Sequence, residues 1–259
     1  MIKKVLTGIE ELDKLLDNGL IEGQSILLTG GPGTGKTTLG VQFIVNGIIK
    51  YNEPGVILIL NDQYDKMIHK IESFGVNSKK VIRSNLLSII DISPILIRKN
   101  DRKYEAKIKS ESDLIVGNRD FNILEIISLI HSQKRKINPK RILIDSLMPL
   151  VLKYQDPFLF SQELNFLLKT IRYLEITSII ISEKNSFNSE FSFKSHIVDG
   201  IIKLSLLRKG DKKIRYLDIL KMDDINHSMN SKPFEITNEG IKIIPNQQIF
   251  TDEVIKTIY

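Results

Sequence analysis

One octapeptide in this sequence combines the residue types that bind phosphate groups. Residues 30–37 read G-G-P-G-T-G-K-T and match the pattern G-x-x-x-x-G-K-S/T at every defined position. Gly30, Gly33 and Gly35 allow a tight turn whose N–H groups point inward, and these groups form an anion-binding nest at the start of the following helix. The octapeptide therefore predicts a site for a nucleoside triphosphate.

The other residues of this loop predict how the ligand is held. Lys36 is expected to reach the β- and γ-phosphates as a point charge, and the Thr37 hydroxyl is expected to coordinate a Mg²⁺ ion. Thr38 offers a further hydroxyl. Gly31 and Thr34 complete the predicted phosphate-binding set.

The segments on either side of the loop have the patterns that such a site requires. Residues 25–28 are a short, largely apolar run that is typical of a buried strand. After the loop, Leu39, Phe43, Gly47 and Ile48 recur near helical spacing. The loop is therefore predicted to open a helix, as the motif requires.

A carboxylate is predicted to complete the Mg²⁺ site. Residues 55–60 and 141–145 are further buried-strand candidates, and the second of them ends in Asp145. In P-loop enzymes a carboxylate at the end of a neighbouring parallel strand holds the Mg²⁺ ion through water, and Asp145 fits this role. Any strand that runs into a turn can end in an acid, so the assignment depends on the intact phosphate loop.

A fourth strand candidate, residues 177–182, ends in Ser182 and is followed by Glu183. In a parallel sheet these two side chains would lie at the edge where the nucleotide binds, in a position to sense the γ-phosphate. Helical patterns separate the strand candidates, at residues 64–74, 122–137 and 158–174. This alternation predicts an α/β fold, with a mostly parallel sheet flanked by helices.

The last third of the chain predicts a C-terminal antiparallel extension. Its strand patterns are at residues 200–207, 214–222 and 241–244, and a hairpin turn is at residues 209–212. Residues 93–120 are charged and weakly patterned, which indicates an insertion at the edge of the sheet. No linker rich in Gly, Ser or Pro divides the 259 residues, so we expect one domain over residues 1–259, with residues 245–259 as a tail.

Composition narrows the class of protein. There is no cysteine, which excludes disulfides, thiolate nucleophiles and cysteine–metal sites, and the 4 histidines lack metal-ligand spacing. No segment approaches the roughly 20 apolar residues of a membrane span, and acids interrupt the basic N-terminus, so a soluble cytoplasmic protein is expected.

The net charge of +6 would suit an anionic partner, but acids or apolar residues adjoin each basic stretch, which favours solvated surface over nucleic-acid binding. These stretches are residues 98–109, 134–141 and 208–215.

A series of motifs, in order along the chain, resembles one family of P-loop ATPases. Besides the phosphate loop, the motifs are T-G-I-E-E-L-D-K-L-L from Thr7, I-E-S-F-G from Ile71, R-I-L-I-D-S from Arg141, H-I-V-D-G-I-I from His196, I-L-K-M-D-D-I-N-H from Ile219 and P-F-E-I-T-N-E-G-I from Pro233. Over nearly its whole length the chain is similar to KaiC-like proteins and to the single-domain archaeal RadA paralogs, within the RecA superfamily. The resemblance implies a RecA-like core that binds ATP and Mg²⁺.

The resemblance also implies an oligomer. This family usually binds its nucleotide between the subunits of a hexameric ring or a filament. On that pattern Lys221 and His227 would reach the phosphates bound by a neighbouring subunit. The alternative is that both residues are exposed on a strand and a loop of a monomer.

Two places in the sequence depart from the family pattern. Where the family usually has two glutamates, one of which deprotonates the attacking water, this chain has Asn61 and Asp62. Where the closing motif has an arginine, this chain has Asp223. Asn61 cannot accept a proton as a carboxylate does, and Asp62 is one methylene shorter than glutamate. We therefore expect ATP to be bound but hydrolysed slowly or not at all.

Three functions are open on the sequence alone. The first is a nucleotide-gated assembly or regulatory protein, which a complete binding loop with reduced hydrolysis machinery favours. The second is a recombination accessory that binds single-stranded DNA through aromatic and basic residues after the fourth strand. Those residues are Lys184, Phe187, Phe191, Phe193 and Lys194. The third is autophosphorylation, which some KaiC relatives carry out at a position that corresponds to Ser192 or Ser195.

Overall fold

The computed structural model describes residues 2–92, 122–154, 156–183, 196–209 and 212–245. The helices are α1 (Glu10–Leu15), α2 (Lys36–Tyr51), α3 (Tyr64–Glu72), α4 (Ser78–Arg83), α5 (Ile123–Ile137), α6 (Met148–Lys153) and α7 (Pro157–Tyr173). The strands are β1 (Lys4–Val5), β2 (Leu20–Ile21), β3 (Ser25–Gly30), β4 (Gly55–Ile59), β5 (Leu87–Asp91), β6 (Arg141–Asp145), β7 (Thr177–Glu183), β8 (Gly200–Lys209), β9 (Lys212–Met222), β10 (Lys232–Thr237) and β11 (Gly240–Ile243).

Nine of these strands form one sheet, in the order β11-β10-β9-β8-β3-β7-β6-β4-β5. The strands from β8 to β5 pair in parallel, whereas β8–β9, β9–β10 and β10–β11 pair antiparallel. The predicted fold class is confirmed: an α/β core with a mostly parallel sheet and a C-terminal antiparallel extension.

The central strands are buried on both faces, which explains why the sequence shows them as apolar runs. In β3, Ile26 and Leu28 belong to the core on the side of α2, while Leu27 belongs to the core on the opposite side, beneath α5 and α7. Side chains alternate along a strand, so a strand with helices on both faces needs apolar residues at every position. This alternation places α2 and α7 on opposite faces of the sheet.

The sequence did not predict seven of these elements, which are β1, β2, β5, β10, α1, α4 and α6. The edge strand β5 and the single-turn helix α4 are short, and β10 begins with Lys232 and Pro233, which carry no strand signal. Strand β10 forms because its backbone pairs on both sides, with β9 and with β11. The hairpin strands reach Lys209 and Lys212, and the two residues between them lie outside the described part of the chain.

One buried cation ties α2 to β6. Arg141 at the start of β6 is 0% exposed, and it forms an ion pair with Glu53 in which Nη2 lies 2.6 Å from the carboxylate. Its Nη1 donates to the carbonyl of Phe43, and its guanidinium lies over the rings of Phe43 and Tyr51. Gly47 leaves the space, because a Cβ there would clash with the guanidinium. The ion pair therefore fixes the far end of α2 on the sheet.

We predict that Glu53→Gln lowers the free energy of unfolding by about 2–3 kcal/mol, because it leaves the buried Arg141 without its counter-charge. The expected loss is below that of a fully buried pair because the Glu53 side chain is 30% exposed. Urea unfolding measures the change. Glu10→Gln is the control, since it breaks an exposed pair with Lys14 and should change stability little. Equal losses in both variants would contradict the role given to Arg141.

Candidate nucleotide-binding site

The phosphate loop joins β3 to α2 in the geometry that the motif predicts. Gly33 and Gly35 adopt positive φ angles of 71° and 102°, which glycine tolerates at little cost. Gly30 has no room for a side chain, because a Cβ would clash with the carbonyl oxygen of Leu204 in β8. The glycines are therefore required by backbone conformation at two positions and by packing at a third.

The lysine of the loop lies across it. The Nζ of Lys36 donates to the carbonyl oxygens of Gly30 at 2.8 Å and Gly31 at 2.9 Å. Burial lowers the pKa of Lys36, and the carboxylates of Glu183 and Asp145 act in the opposite direction. The hydroxyl of Thr34 also donates to Gly31, at 2.8 Å. A single ammonium thus lies among the loop carbonyls, within the electrostatic influence of two acids.

Asp145, at the end of β6, meets the start of α2. The hydroxyl of Thr37 donates to Oδ2 of Asp145 at 2.8 Å. The pKa of Asp145 is raised to about 6, and burial is the main cause. The hydrogen bond from Thr37 and the charge of Lys36 act to lower this pKa, while the charges of Asp62 and Glu183 act to raise it. A carboxylate with this environment is stabilised in its ionised form by a nearby cation.

These residues fit Mg²⁺ and the phosphates of a nucleotide. Thr37 and Asp145 supply the hydroxyl and the carboxylate that Mg²⁺ prefers, and their side chains are already in contact. Ser146 follows Asp145 and is 3% exposed, and within the described residues its hydroxyl has no hydrogen-bond partner. The loop N–H groups at the start of α2 suit an anion. Thr38, in contrast, is buried at 7% exposure in the first turn of α2.

The parallel sheet brings Ser182 and Glu183 beside the loop. In the register of β3 with β7, Ser182 lies opposite Thr29 and Glu183 lies opposite Gly30. Glu183 is close enough to Lys36 and Asp145 to change the pKa of each. The predicted proximity of this pair to the phosphate loop is therefore present in the fold.

Asn61 and Asp62 follow β4 at the same edge of the sheet. The Asp62 carboxylate accepts a hydrogen bond from the N–H of Gln63 at 2.8 Å and lies 3.5 Å from the Nζ of Lys66. Asn61 is exposed. Asp62 is thus held by the first turn of α3, yet it is near enough to Asp145 to raise the pKa of that carboxyl.

Lys221 and His227 are not brought to the phosphate loop of their own chain. Strand β9 runs antiparallel to β8, and Lys221 pairs with Ile201 near the beginning of β8. The loop lies at the other end of the parallel strands. The Nζ of Lys221 donates to the carbonyl of Val198 at 2.7 Å and lies 3.1 Å from the carboxylate of Asp223, while Nδ1 of His227 is 3.1 Å from the carbonyl of Ile225.

Two residues near the loop were missed by sequence reasoning. Arg215 lies in a stretch that was interpreted as solvated surface, yet its Nε donates to the carbonyl of Gly33 at 3.4 Å. The buried amide of Gln42 in α2 accepts from the N–H of Ile241 at 2.8 Å and donates to its carbonyl at 3.3 Å. Both contacts join residues that lie far apart in the sequence. Gly33 and Arg215 are separated by 182 residues, and Gln42 and Ile241 are separated by 199. No local pattern predicts them.

Several predicted residues lie outside the described part of the chain. They are the insertion at residues 93–120, the aromatic and basic residues at 184–194, Ser192 and Ser195, and the tail from residue 246. Among the helices that the structure describes, none has the length and apolarity needed to cross a membrane.

Comparisons with known proteins agree with this geometry. A family model described as "ATPase: KaiC" matches residues 5–248. The chain is 30% identical over 247 residues to the circadian clock oscillator protein KaiC of Nostoc, which covers 94% of this chain but 44% of that protein. It is 33% identical over 255 residues to a UPF0273 protein of Methanopyrus kandleri, which covers 97% of this chain and 96% of the relative.

A solved structure extends the comparison to the fold. The crystal structure of a KaiC-like protein from Pyrococcus horikoshii has a TM-score of 0.77 and 30% identity, and the match covers 95% of this chain and 100% of that one. The chain spans less than half of the Nostoc clock protein, whereas it matches the Pyrococcus protein from end to end. Such a family binds nucleotide, typically with Mg²⁺. The chain belongs to the KaiC family of ATPases and has its RecA-like fold.

Proposed function

We propose that this chain is a Mg-ATP-binding KaiC-like protein that hydrolyses ATP slowly and acts as a nucleotide-dependent assembly or regulatory protein. One observation carries the proposal. The phosphate loop lies against Asp145. The two positions expected to supply the general base hold Asn61, which has no carboxylate, and Asp62, which is held by Gln63 and Lys66 at the start of its own helix.

The weakened base accounts for slow hydrolysis. A positioned general base is typically worth about 10²- to 10⁴-fold in rate, and a misplacement of roughly 1 Å can cost about 10²-fold. Asp62 has a shorter side chain than glutamate, and its contacts keep it on the first turn of α3. Asn61 has no carboxylate. Neither residue matches the glutamate that relatives use to activate water.

The loss of the closing-motif arginine acts in the same direction. An arginine that stabilises a transferring phosphoryl group is worth about 10³- to 10⁵-fold in turnover. Here Asp223 stands in that motif, and it lies 3.1 Å from the ammonium of Lys221. A negative charge therefore replaces a positive one and also neutralises the cation that remains nearby.

Assembly is supported by the positions of Lys221 and His227. They lie at the opposite end of the central strands from the phosphate loop of their own chain, so they can meet a nucleotide only if it is bound by another copy. When one end of a subunit contacts the other end of the next subunit, the interface is heterologous. Such subunits form a closed ring if the rotation between neighbouring subunits closes. In such a ring ATP would bridge neighbouring subunits.

The first prediction concerns the base. Asn61→Glu should raise the rate of phosphate release at saturating Mg-ATP by at least ~10-fold, because it restores a carboxylate that can accept the proton. Nucleotide affinity should change far less. Phosphate release and nucleotide binding are measured on the same preparation, with Lys36→Ala as the blank. An unchanged rate in a folded variant that binds ATP would count against the degenerate-base explanation.

The second prediction concerns assembly. Mg-ATP should convert the chain to a larger, discrete species in light scattering, because the bound phosphates attract cations from the next subunit. Lys36→Ala, which cannot hold the phosphates, should show no such change. If the mass is the same with and without Mg-ATP, nucleotide-dependent assembly is wrong while nucleotide binding still stands.

The third prediction concerns Asp223. Asp223→Arg removes the counter-charge of Lys221 and restores the cation of the motif, so turnover in the assembled protein should rise by at least ~10-fold. The same substitution in a Lys221→Ala background separates the two effects. A rise that persists there belongs to the new arginine alone, and no rise in either background would contradict the role given to this motif.

A further inference from the structure

Glu183 differs from the neighbouring carboxylates of the nucleotide site because it has no partner. Asp145 accepts a hydrogen bond from Thr37, and the carboxylate of Asp62 lies 3.5 Å from the Nζ of Lys66. Within the described residues, the carboxylate of Glu183 forms neither a hydrogen bond nor an ion pair. It is exposed at the end of β7, so its charge can act directly on a bound ligand.

The fold sets this carboxylate on the side of the sheet that carries the phosphate loop. Side chains alternate along a strand, and Ile179 and Ile181 of β7 belong to the core beside α2. Glu183 is two residues further along β7 and therefore lies on the same side. Strand β7 lies between β3, which leads into the phosphate loop, and β6, which ends in Asp145. Glu183 thus lies between the loop and Asp145.

The charge of Glu183 acts on the lysine of the phosphate loop. Of the two carboxylates that raise the pKa of Lys36, Glu183 has the larger effect and Asp145 the smaller. In such a loop the backbone N–H groups hold the α- and β-phosphates, and the lysine reaches the β- and γ-phosphates. Glu183 therefore lies on the side of the site that receives the γ-phosphate. ATP places an additional negative charge there, whereas ADP does not.

We propose that Glu183 lowers the affinity of the separate chain for ATP relative to ADP, because its charge repels the γ-phosphate. The inference rests on the proposed function, in which ATP binds at the loop and bridges two subunits. In that assembly Lys221 and His227 of the next subunit bring cationic groups to the same phosphate and offset the repulsion. Glu183 thus makes the retention of ATP depend on assembly, while ADP is bound by the separate chain.

Glu183→Gln removes the charge and keeps the size of the side chain. Its affinity for the β,γ-imido analogue of ATP with Mg²⁺ should rise roughly three- to tenfold, as expected for one exposed charge beside one phosphate group. Its affinity for Mg-ADP should change by less than about twofold, because no γ-phosphate is present. Both are measured by calorimetry at low salt, at protein concentrations where light scattering shows single chains. Equal changes for the two nucleotides, or no change for either, overturn the inference.

Two further variants separate the position of the charge from its mere removal. Glu183→Asp keeps the charge and should keep the preference of the original chain for ADP. Glu10→Gln removes an exposed carboxylate of α1, which pairs with Lys14, and should leave both affinities unchanged. If Glu10→Gln tightens the ATP analogue as much as Glu183→Gln does, the effect belongs to net charge and the inference is overturned.

Salt dependence and the original chain complete the test. Added salt should weaken the effect of Glu183→Gln, because an exposed charge is screened, and an effect that persists at high salt overturns the electrostatic explanation. If neither nucleotide binds the original chain, the proposed function fails and the inference fails with it. If both bind and Glu183→Gln leaves the ratio of the two affinities unaltered, only the inference is overturned.

Discussion

The close approach of α2 to β6 is the constraint on which the nucleotide site depends. Three residues on one side of α2 meet three residues of β6 in order. Thr37 bonds to Asp145, Gly40 leaves only 2.5 Å between its ideal Cβ position and the side chain of Leu143, and Gly47 makes room for Arg141. Two glycines thus let the helix lie against the strand along its whole length. Only then does the start of α2 reach the end of β6, where a hydroxyl and a carboxylate can share one cation.

The close contact of α2 with β6 buries charged groups at both ends of the helix, and the fold supplies partners that offset the loss of solvation. At the far end, Arg141 is enclosed with Glu53 and two aromatic rings. At the near end, burial disfavours the charge on Asp145 and on Lys36, and each is stabilised by the presence of the other. The site therefore holds charges that water would solvate better, and the anionic phosphates and Mg²⁺ of a nucleotide complement them. Pre-organised charges of this kind favour binding without any requirement for rapid hydrolysis.

The departures from the family pattern are all on the hydrolytic side of this arrangement. Asp62 and Asp223 each form an ion pair with a lysine four or two residues away, Lys66 and Lys221. These ion pairs form within one chain and need no neighbouring subunit. At the phosphate loop, Lys36 donates to the carbonyl oxygens of Gly30 and Gly31, and charged phosphate oxygens can replace these carbonyls as its partners. The chain thus has residues that fit the phosphates of a nucleotide, while Asp62 and Asp223 each pair with a lysine of the same chain.

The sequence alone determined the phosphate loop, the strand that ends in Asp145 and the alternation of strands and helices. Each is a local pattern, because a tight turn needs glycine, a strand buried on both faces needs an apolar run, and neighbouring helices need a repeat near 3.6 residues. Tertiary structure decided what local patterns do not encode. It set Arg215 of β9 beside the phosphate loop and Gln42 of α2 beside β11, and it placed Lys221 and His227 at the opposite end of the sheet from the loop. These outcomes depend on which strands pair and on which face of each helix is buried, and both are fixed only when the whole sheet assembles.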